Sequence, residues 1–101
     1  MPYFSVYAMD RAGVLDERTA SRPSHRARLR EHDHAVTVHV GGPVLSAGGA
    51  MAGTLLIIEA ADQAAVEHYL AGDPYVAAGI FDTIDIRPFA WGIGLPESAH
   101  G

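Results

Sequence analysis

The chain has 101 residues, 49% of them apolar, which suits a single domain that buries about two thirds of the surface its unfolded chain exposes. Its 7 basic and 12 acidic residues give a formal net charge of -5, which repels a phosphate backbone, so we expect no nucleic-acid binding. The chain contains no lysine and no cysteine, which excludes Schiff-base amines, disulfides and thiolate chemistry.

Residues 3 to 9 alternate between apolar and more polar side chains, which is the period of a β-strand. Phe4, Val6 and Ala8 share one face of this strand. The opposite face is amphipathic, and we expect a partner or a ligand to cover it; it carries Tyr3, Ser5, Tyr7 and Met9. No basic segment and no long apolar run precedes the strand, so we expect no signal peptide, no membrane span and a cytoplasmic location.

A polar loop follows the strand, and the residues from Ser21 to about His34 predict the first helix. Serine suits the capping position before a helix, and Pro23 is tolerated if it stands in the first turn. The inward face of this helix is unusually polar, because only one of its members is a large apolar residue. That face carries Arg22, His25, Leu29 and His32.

The next segment predicts two strands separated by a glycine-rich loop. The first of them is indicated by alternating valines, namely Val36, Val38 and Val40. We expect it to stop at the Gly-Gly-Pro of residues 41–43, because proline cannot donate to a ladder. Residues 41–53 contain five glycines and are expected to form a loop. Residues 54–58 are apolar on both faces, which is typical of a central strand.

Asp62 is expected to cap the second helix, whose buried stripe is formed by Ala65, Val66, Tyr69 and Leu70. Gly72 ends this helix. Asp73, placed before a proline, opens a further helical turn that Gly79 closes. Residues 81–89 alternate again and predict the last strand.

The elements therefore follow the order βαββαβ, which predicts an α+β domain, a ferredoxin-like sandwich with an antiparallel sheet, over residues 3–95. Residues 96–101 are expected to form a loose tail. A core of this size leaves one face of the sheet to be covered, so we expect a homodimer.

Five short segments carry a recognisable pattern. They are Tyr7-Ala8-Met9-Asp10, Arg22-Pro23-Ser24-His25, Gly42-Pro43, Asp73-Pro74-Tyr75-Val76-Ala77-Ala78-Gly79 and Arg87-Pro88-Phe89. On these segments the chain resembles the YciI-like (YCII-related) family, and the resemblance spans about residues 3 to 89. The resemblance implies a dimeric α/β-barrel-like assembly and a pocket that holds a catalytic histidine and aspartate. By position these are His25 and Asp73.

The same resemblance implies a reaction class. One branch of the family eliminates chloride from chlorinated hydroxyquinones, and the architecture is similar to that of muconolactone isomerases. A lyase or isomerase that transfers protons on a small molecule, without a cofactor, is therefore implied. The candidates for substrate binding are taken from the matching segments; they are Arg22, Tyr7, Asp10, Gly42, Pro43 and Tyr75.

Each candidate also has a purely structural interpretation. His25 can act as a base near neutral pH, or it can be a histidine packed in the core. Asp73 can orient that histidine, or it can simply cap its helical turn. Arg22 can clamp an anionic oxygen, or it can form an ion pair with Asp10 or Asp33. Aromatic residues such as the two candidate tyrosines can close a pocket or belong to the core.

We expect no metal and no nucleotide. The run Glu31-His32-Asp33-His34, with His39, is rich in ligand types, but residues two apart point to opposite sides of a helix. The glycine-rich segment lacks a phosphate-binding spacing and leads into a strand. Ser46 does not stand in a GxSxG elbow, because Val44 occupies its first glycine position.

Our main hypothesis is therefore a small-molecule enzyme in which His25 removes a proton, Asp73 holds the imidazole and Arg22 steadies negative charge. The alternative is a non-catalytic, ligand-binding or accessory dimer, in which aromatic side chains matter more than the histidine; these are Tyr3, Tyr7, Tyr75 and Trp91. A third hypothesis, a purely structural dimer, requires that no pocket exists beside His25.

Overall fold

Four strands and three helices make up the part of the chain that a computed structural model describes, residues 1–94. The strands are β1 (Tyr3–Asp10), β2 (Thr37–Leu45), β3 (Met51–Glu59) and β4 (Phe81–Phe89), and the helices are α1 (Leu15–Leu29), α2 (Gln63–Ala71) and α3 (Pro74–Ala77). The predicted tail, residues 96–101, lies outside the described residues.

The four strands form one antiparallel sheet in the order β2-β3-β1-β4. The two central strands, β1 and β3, are neighbours although a helix and an edge strand separate them in the chain. This is the ferredoxin-like arrangement, with α3 as an additional helical turn, so the predicted α+β fold is confirmed. None of the helices within residues 1–94 combines the length and the apolar character that crossing a membrane requires.

The main core lies between one face of the sheet and α2. Phe4 and Val6 of β1 and Ile58 of β3 are each at most 6% exposed. The helix contributes apolar side chains at helical spacing, namely Val66, Tyr69 and Leu70. Its first turn is capped as predicted, because the Asp62 carboxylate accepts a hydrogen bond of 2.9 Å from the amide of Ala65.

The first helix begins earlier than predicted. α1 starts at Leu15, so residues 15–20, expected to be a loop, are helical, and the capping role expected of Ser21 is wrong. Val14 occupies the capping position and makes no side-chain cap. Val14 and Arg18 are both buried, one turn apart. Burial of these two side chains therefore places the start of the helix where no local capping signal exists.

Pro23 lies inside α1 and not in its first turn. Proline lacks the N–H group and crowds the carbonyl four residues earlier, which costs about 3 kcal/mol in a helix interior. The helix persists because it is anchored on both sides of the proline, by the buried side chains of Arg18 and His25. α1 also ends early, at Leu29, so His32 does not belong to its inner face.

The second strand does not stop at the Gly-Gly-Pro segment. β2 continues to Leu45, and Pro43 pairs with Thr54 of β3. Proline is tolerated here because β2 is an edge strand, which needs no donor on its outer side. The loop expected over residues 41–53 is thus a hairpin of residues 46–50, in which the Ser46 amide bonds to the carbonyl oxygen of Ala50 at 2.8 Å.

Strands β1 and β3 approach each other closely at Gly53, which lies opposite Met9. A Cβ at Gly53 would stand 2.5 Å from the carbonyl oxygen of Ala8 and 2.9 Å from Sδ of Met9. We therefore expect Gly53→Ala to lower the free energy of unfolding by about 1 to 3 kcal/mol, because the strands have to separate. Urea unfolding measures this change.

Gly42→Ala is the matched control for that substitution, since a Cβ at Gly42 meets nothing within 4 Å. It should change the free energy of unfolding by less than about 0.5 kcal/mol. Equal losses in the two variants would contradict a specific close contact at Gly53.

Candidate functional site

A cavity of about 290 Å³ opens between α1 and the edge of the sheet formed by β2 and β3. Its walls carry basic and apolar side chains together with the backbone of the edge strand. The lining residues are Arg18, Arg22, His25, Arg26, Leu29, Arg30, Val38, His39, Gly41, Gly42, Pro43, Thr54 and Tyr75. The inner face of α1 is polar because this cavity, and not the apolar core, lies beneath it.

His25 and Asp73 form a buried pair at this cavity. Nδ1 of His25 lies 2.8 Å and 2.9 Å from the two carboxylate oxygens of Asp73. The side chains are only 6% and 2% exposed. Asp73 also accepts a hydrogen bond of 2.8 Å from the amide of Tyr75, which caps α3. The capping role and the contact with histidine are thus combined in one carboxylate, and the cap fixes its orientation.

The contact with Asp73 determines which nitrogen of His25 is available. A carboxylate only accepts hydrogen bonds, so the neutral imidazole carries its proton on Nδ1. Within residues 1–94, the other nitrogen, Nε2, has no hydrogen-bond partner in the protein, and His25 is part of the cavity wall. An imidazole held in this tautomer can accept a proton from a molecule in the cavity.

Tyr75 forms the wall beside His25. The two rings stack with centroids 3.8 Å apart and planes 16° from parallel. Burial raises the pKa of the Tyr75 hydroxyl, against the opposing influence of the nearby Arg18 and Arg22. The phenol therefore stays protonated at neutral pH and retains an O–H donor, while its oxygen accepts from Nη1 of Arg18 at 3.4 Å.

Arg18 is one of the site residues that were not predicted from the sequence. Its side chain is 2% exposed, and its Nε donates to the Asp10 carboxylate at 2.7 Å. Its Nη2 donates to Oγ1 of Thr54 at 2.6 Å and to the carbonyl oxygen of Gly53. Because its segment was predicted to be a loop, Arg18 was not assigned to a helix face. In a helix it shares a face with Arg22 and His25, four and seven residues later, and this spacing is the sequence signal that could have identified it.

The structure brings most of the other candidates to the cavity. Arg22, Gly42, Pro43 and Tyr75 line it together with His25. Asp10 does not line the cavity but is bound to Arg18, so the alternative in which Arg22 pairs with Asp10 does not occur. Among the described residues, no ion pair joins Arg22 to an acidic side chain, Asp33 included.

Tyr7 is not brought to the cavity. It is 45% exposed and lies opposite Leu55 on the sheet face that carries no helix. The reason is strand alternation, because Val6 and Ala8 on either side of it point to the helices and are buried. Tyr7 is therefore not among the residues that line this cavity.

The histidine-rich segment forms a small exposed cluster. The ligand atoms of Glu31, Asp33 and His34 lie within 4.8 Å of one another, and His34 contacts Glu31 at 2.8 Å. His39 lies elsewhere, on β2, where its Nε2 is 2.8 Å from the carboxylate of Glu59. The histidines considered together in the sequence thus do not converge on one centre.

Comparison with known proteins gives a consistent result. The model of the YCII-related domain matches residues 1–90. Protein YciI of Escherichia coli O6:H1 is 31% identical over 98 residues, which cover 85% of this chain and 94% of that protein. An uncharacterized protein of Haemophilus influenzae is 27% identical over 93 residues, or 86% of this chain and 95% of the relative.

Two solved structures are informative. The 5-chloro-2-hydroxyhydroquinone dehydrochlorinase TftG of Burkholderia phenoliruptrix AC1100, in complex with 2,5-dihydroxybenzoquinone, has a TM-score of 0.80 and 32% identity, covering 89% of this chain and 95% of that one. A NIPSNAP domain protein of Burkholderia xenovorans has a TM-score of 0.54 and 11% identity, covering 96% and 100%, and supports the fold alone.

The Arg18–Asp10 pair generates a prediction about stability. Arg18→Met should lower the free energy of unfolding by about 3 kcal/mol or more, because it leaves the buried Asp10 carboxylate without its partner. The double variant with Asp10→Asn should lose at least about 1 kcal/mol less than the sum of the single variants. Urea unfolding of the four proteins measures this coupling.

Arg87→Met serves as the control, since the side chain of Arg87 is 73% exposed and its contact with Asp85 is on the surface. It should change the free energy of unfolding by less than about 1 kcal/mol. Strict additivity of the Arg18 and Asp10 substitutions would contradict the assigned pairing.

Proposed function

The chain belongs to the YCII-related domain family, and we propose that it is a small-molecule enzyme that transfers a proton through His25 and Asp73 without a cofactor. The observation that carries the proposal is the buried contact of Nδ1 with Asp73, at 2.8 Å and 2.9 Å, in the wall of a cavity. The reaction class that fits is elimination or isomerisation, in which one base moves protons on a single substrate.

Five polar side chains at the cavity have a role in this proposal. Nε2 of His25 takes the proton, and Asp73 stabilises the imidazolium that forms while remaining ionised itself. Arg22 and Tyr75 line the same cavity, and we assign them the role of stabilising the negative charge that develops on the substrate oxygen. Arg18 supports them from behind, because its own charge is already matched by Asp10.

Similarity to the dehydrochlorinase supports one specific version of this reaction. In the loss of HCl from a chlorinated polyhydroxybenzene, one hydroxyl loses a proton while the carbon that bears chlorine gains one. Chloride then leaves with the bonding electron pair as a second hydroxyl loses its proton, which yields a quinone. The net change is loss of HCl, so the sequence of steps needs a base and no oxidant.

The proposal is tested by following chloride release from 5-chloro-2-hydroxyhydroquinone under anaerobic conditions. His25→Gln should reduce kcat/KM by about 100-fold or more, because the base is removed. Asp73→Asn should also reduce kcat/KM strongly, while the asparagine still caps α3 and keeps the fold. His68→Gln, an exposed histidine on α2, is the matched control and should leave turnover unchanged.

Two outcomes of this assay contradict the proposal. Equal chloride release by the wild type and His25→Gln would show that the histidine is not the base. If the wild type binds 2,5-dihydroxybenzoquinone but releases no chloride, and His25→Gln binds it equally well, the chain is a ligand-binding protein. The ring of Tyr75, which lines the cavity, is the feature that such a non-catalytic protein would use.

We also propose that the chain forms a homodimer through the sheet face that carries no helix. That face exposes large apolar side chains, among them Tyr7, Val40 and Leu55 at 45%, 41% and 39% exposure. A second copy would bury them, as domains of this size often require. Sedimentation equilibrium at micromolar concentration decides the point, and a mass of one chain would contradict it.

A further inference from the structure

Positive charge is concentrated at the cavity although the protein as a whole is acidic. The chain has 7 basic residues and a formal net charge of -5. Four of these arginines line the cavity, and within residues 1–94 no aspartate or glutamate does. Three carboxylates contact lining side chains and each is engaged, Asp10 by Arg18, Asp73 by His25 and Glu59 by His39. The cavity is therefore a local positive field in a negative molecule.

The four arginines of the cavity form a ladder at positions 18, 22, 26 and 30, of which the first three lie in α1 and Arg30 is its C-cap residue. Arg18 is buried and paired with Asp10. Arg22 is half-buried, whereas Arg26 and Arg30 are exposed. Within residues 1–94, the side chains of Arg22, Arg26 and Arg30 form no ion pair. The positive charge of the cavity is thus compensated at the buried Arg18, and it is not compensated by ion pairs at Arg22, Arg26 and Arg30.

A structural explanation of the ladder covers only part of it. Cations at the C-terminal end of a helix are favoured by the helix dipole, which applies to Arg26 and to Arg30 at the C-cap but not to Arg18 and Arg22. Like charges four residues apart repel each other and destabilise a helix, and the ladder repeats that spacing three times. An anion between these side chains would relieve the repulsion.

We propose that the molecule bound here is a small planar ring with two acidic groups, which becomes a dianion when His25 removes the proton of the inner one. One group lies beside His25, where Arg22 and Tyr75 hold it, and the other lies at the mouth between Arg26 and Arg30. A volume of about 290 Å³ suits a single ring with substituents. This inference rests on the proposed function, since it specifies the substrate class of the same site.

The spacing along α1 is compatible with such a ligand. The Cα atoms of Arg22 and Arg30 are separated by eight residues, which corresponds to about 12 Å along a helix. Arginine side chains are long enough to converge on the two ends of one ring from positions this far apart. Because Arg26 and Arg30 are exposed, their contribution should be salt-dependent and should affect binding more than chemistry.

The test uses isothermal titration calorimetry with two probes that differ by one charge, benzene-1,4-dicarboxylate and benzoate. The wild type should bind the dicarboxylate at least about tenfold more tightly than benzoate at low ionic strength, and added salt should reduce the difference. In R26Q/R30Q the ratio should fall to about threefold or less, with little change in benzoate affinity.

R11Q/R87Q is the matched control, because it removes the same charge from exposed arginines that do not line the cavity. It should keep the preference of the wild type for the dicarboxylate. The proposal is overturned if the wild type shows no preference, if R26Q/R30Q keeps it, or if the control loses it equally. Failure of the wild type to bind the dicarboxylate at about 1 mM also overturns it.

This experiment separates the inference from the proposed function, because binding of these probes requires no turnover. If His25→Gln loses turnover and the wild type shows no preference for the dicarboxylate, the proposed function is supported and only the proposed substrate class is contradicted. If the preference for the dicarboxylate depends on Arg26 and Arg30 but turnover does not depend on His25, the two-charge ligand class is supported and the proposed role of His25 is contradicted.

Discussion

The buried guanidinium of Arg18 is the constraint on which the arrangement of the site depends. A charged side chain that is 2% exposed requires partners for its N–H groups, because an unpaired charge in the interior is very costly. The partners of Arg18 are Asp10 on β1, Gly53 and Thr54 on β3, and Tyr75 on α3. One side chain of α1 is thereby fastened to the sheet and to α3 at once.

The two longer helices consequently have different tasks. α2 packs an apolar face on the sheet and supplies much of the core. The buried side chains of α1 are Arg18 and His25, so this helix is positioned by polar contacts, with Asp10 and Asp73 as the partners. Such a helix gives up hydrophobic stabilisation, and in return it presents oriented, charged groups to a cavity. Departures from simple core packing of this kind are typical of functional sites.

Tyr75 connects the two polar pairs. Its ring stacks on His25, its hydroxyl contacts Arg18, and its amide donates to Asp73. The short helix that carries it is therefore part of the site and not merely a connection between α2 and β4. A substitution in any member of this group is expected to disturb the others, so single substitutions there report on the group as a unit.

The parts of the fold that were predictable from the sequence are those in which a local pattern agrees with the tertiary structure. The alternation in β1 and β4, the cap at Asp62 and the turn opened by Asp73 are of this kind. The start of α1 was not, because the serine and proline near residue 22 mimic a helix start. Its true start depends on burial of Val14 and Arg18 against residues far away in the chain. The partnership of His25 with Asp73 was expected from family resemblance alone, since no local pattern links residues 48 positions apart.

In the proposed mechanism Asp73 holds His25 so that Nε2 is free to take a proton from a bound molecule. A long-range ¹⁵N correlation spectrum of the His25 ring, recorded with and without 2,5-dihydroxybenzoquinone, tests this arrangement. We expect the neutral ring to carry its proton on Nδ1 and the ligand to shift the resonance of Nε2. A neutral ring protonated on Nε2, or an Nε2 resonance that does not respond to the bound quinone, would contradict it.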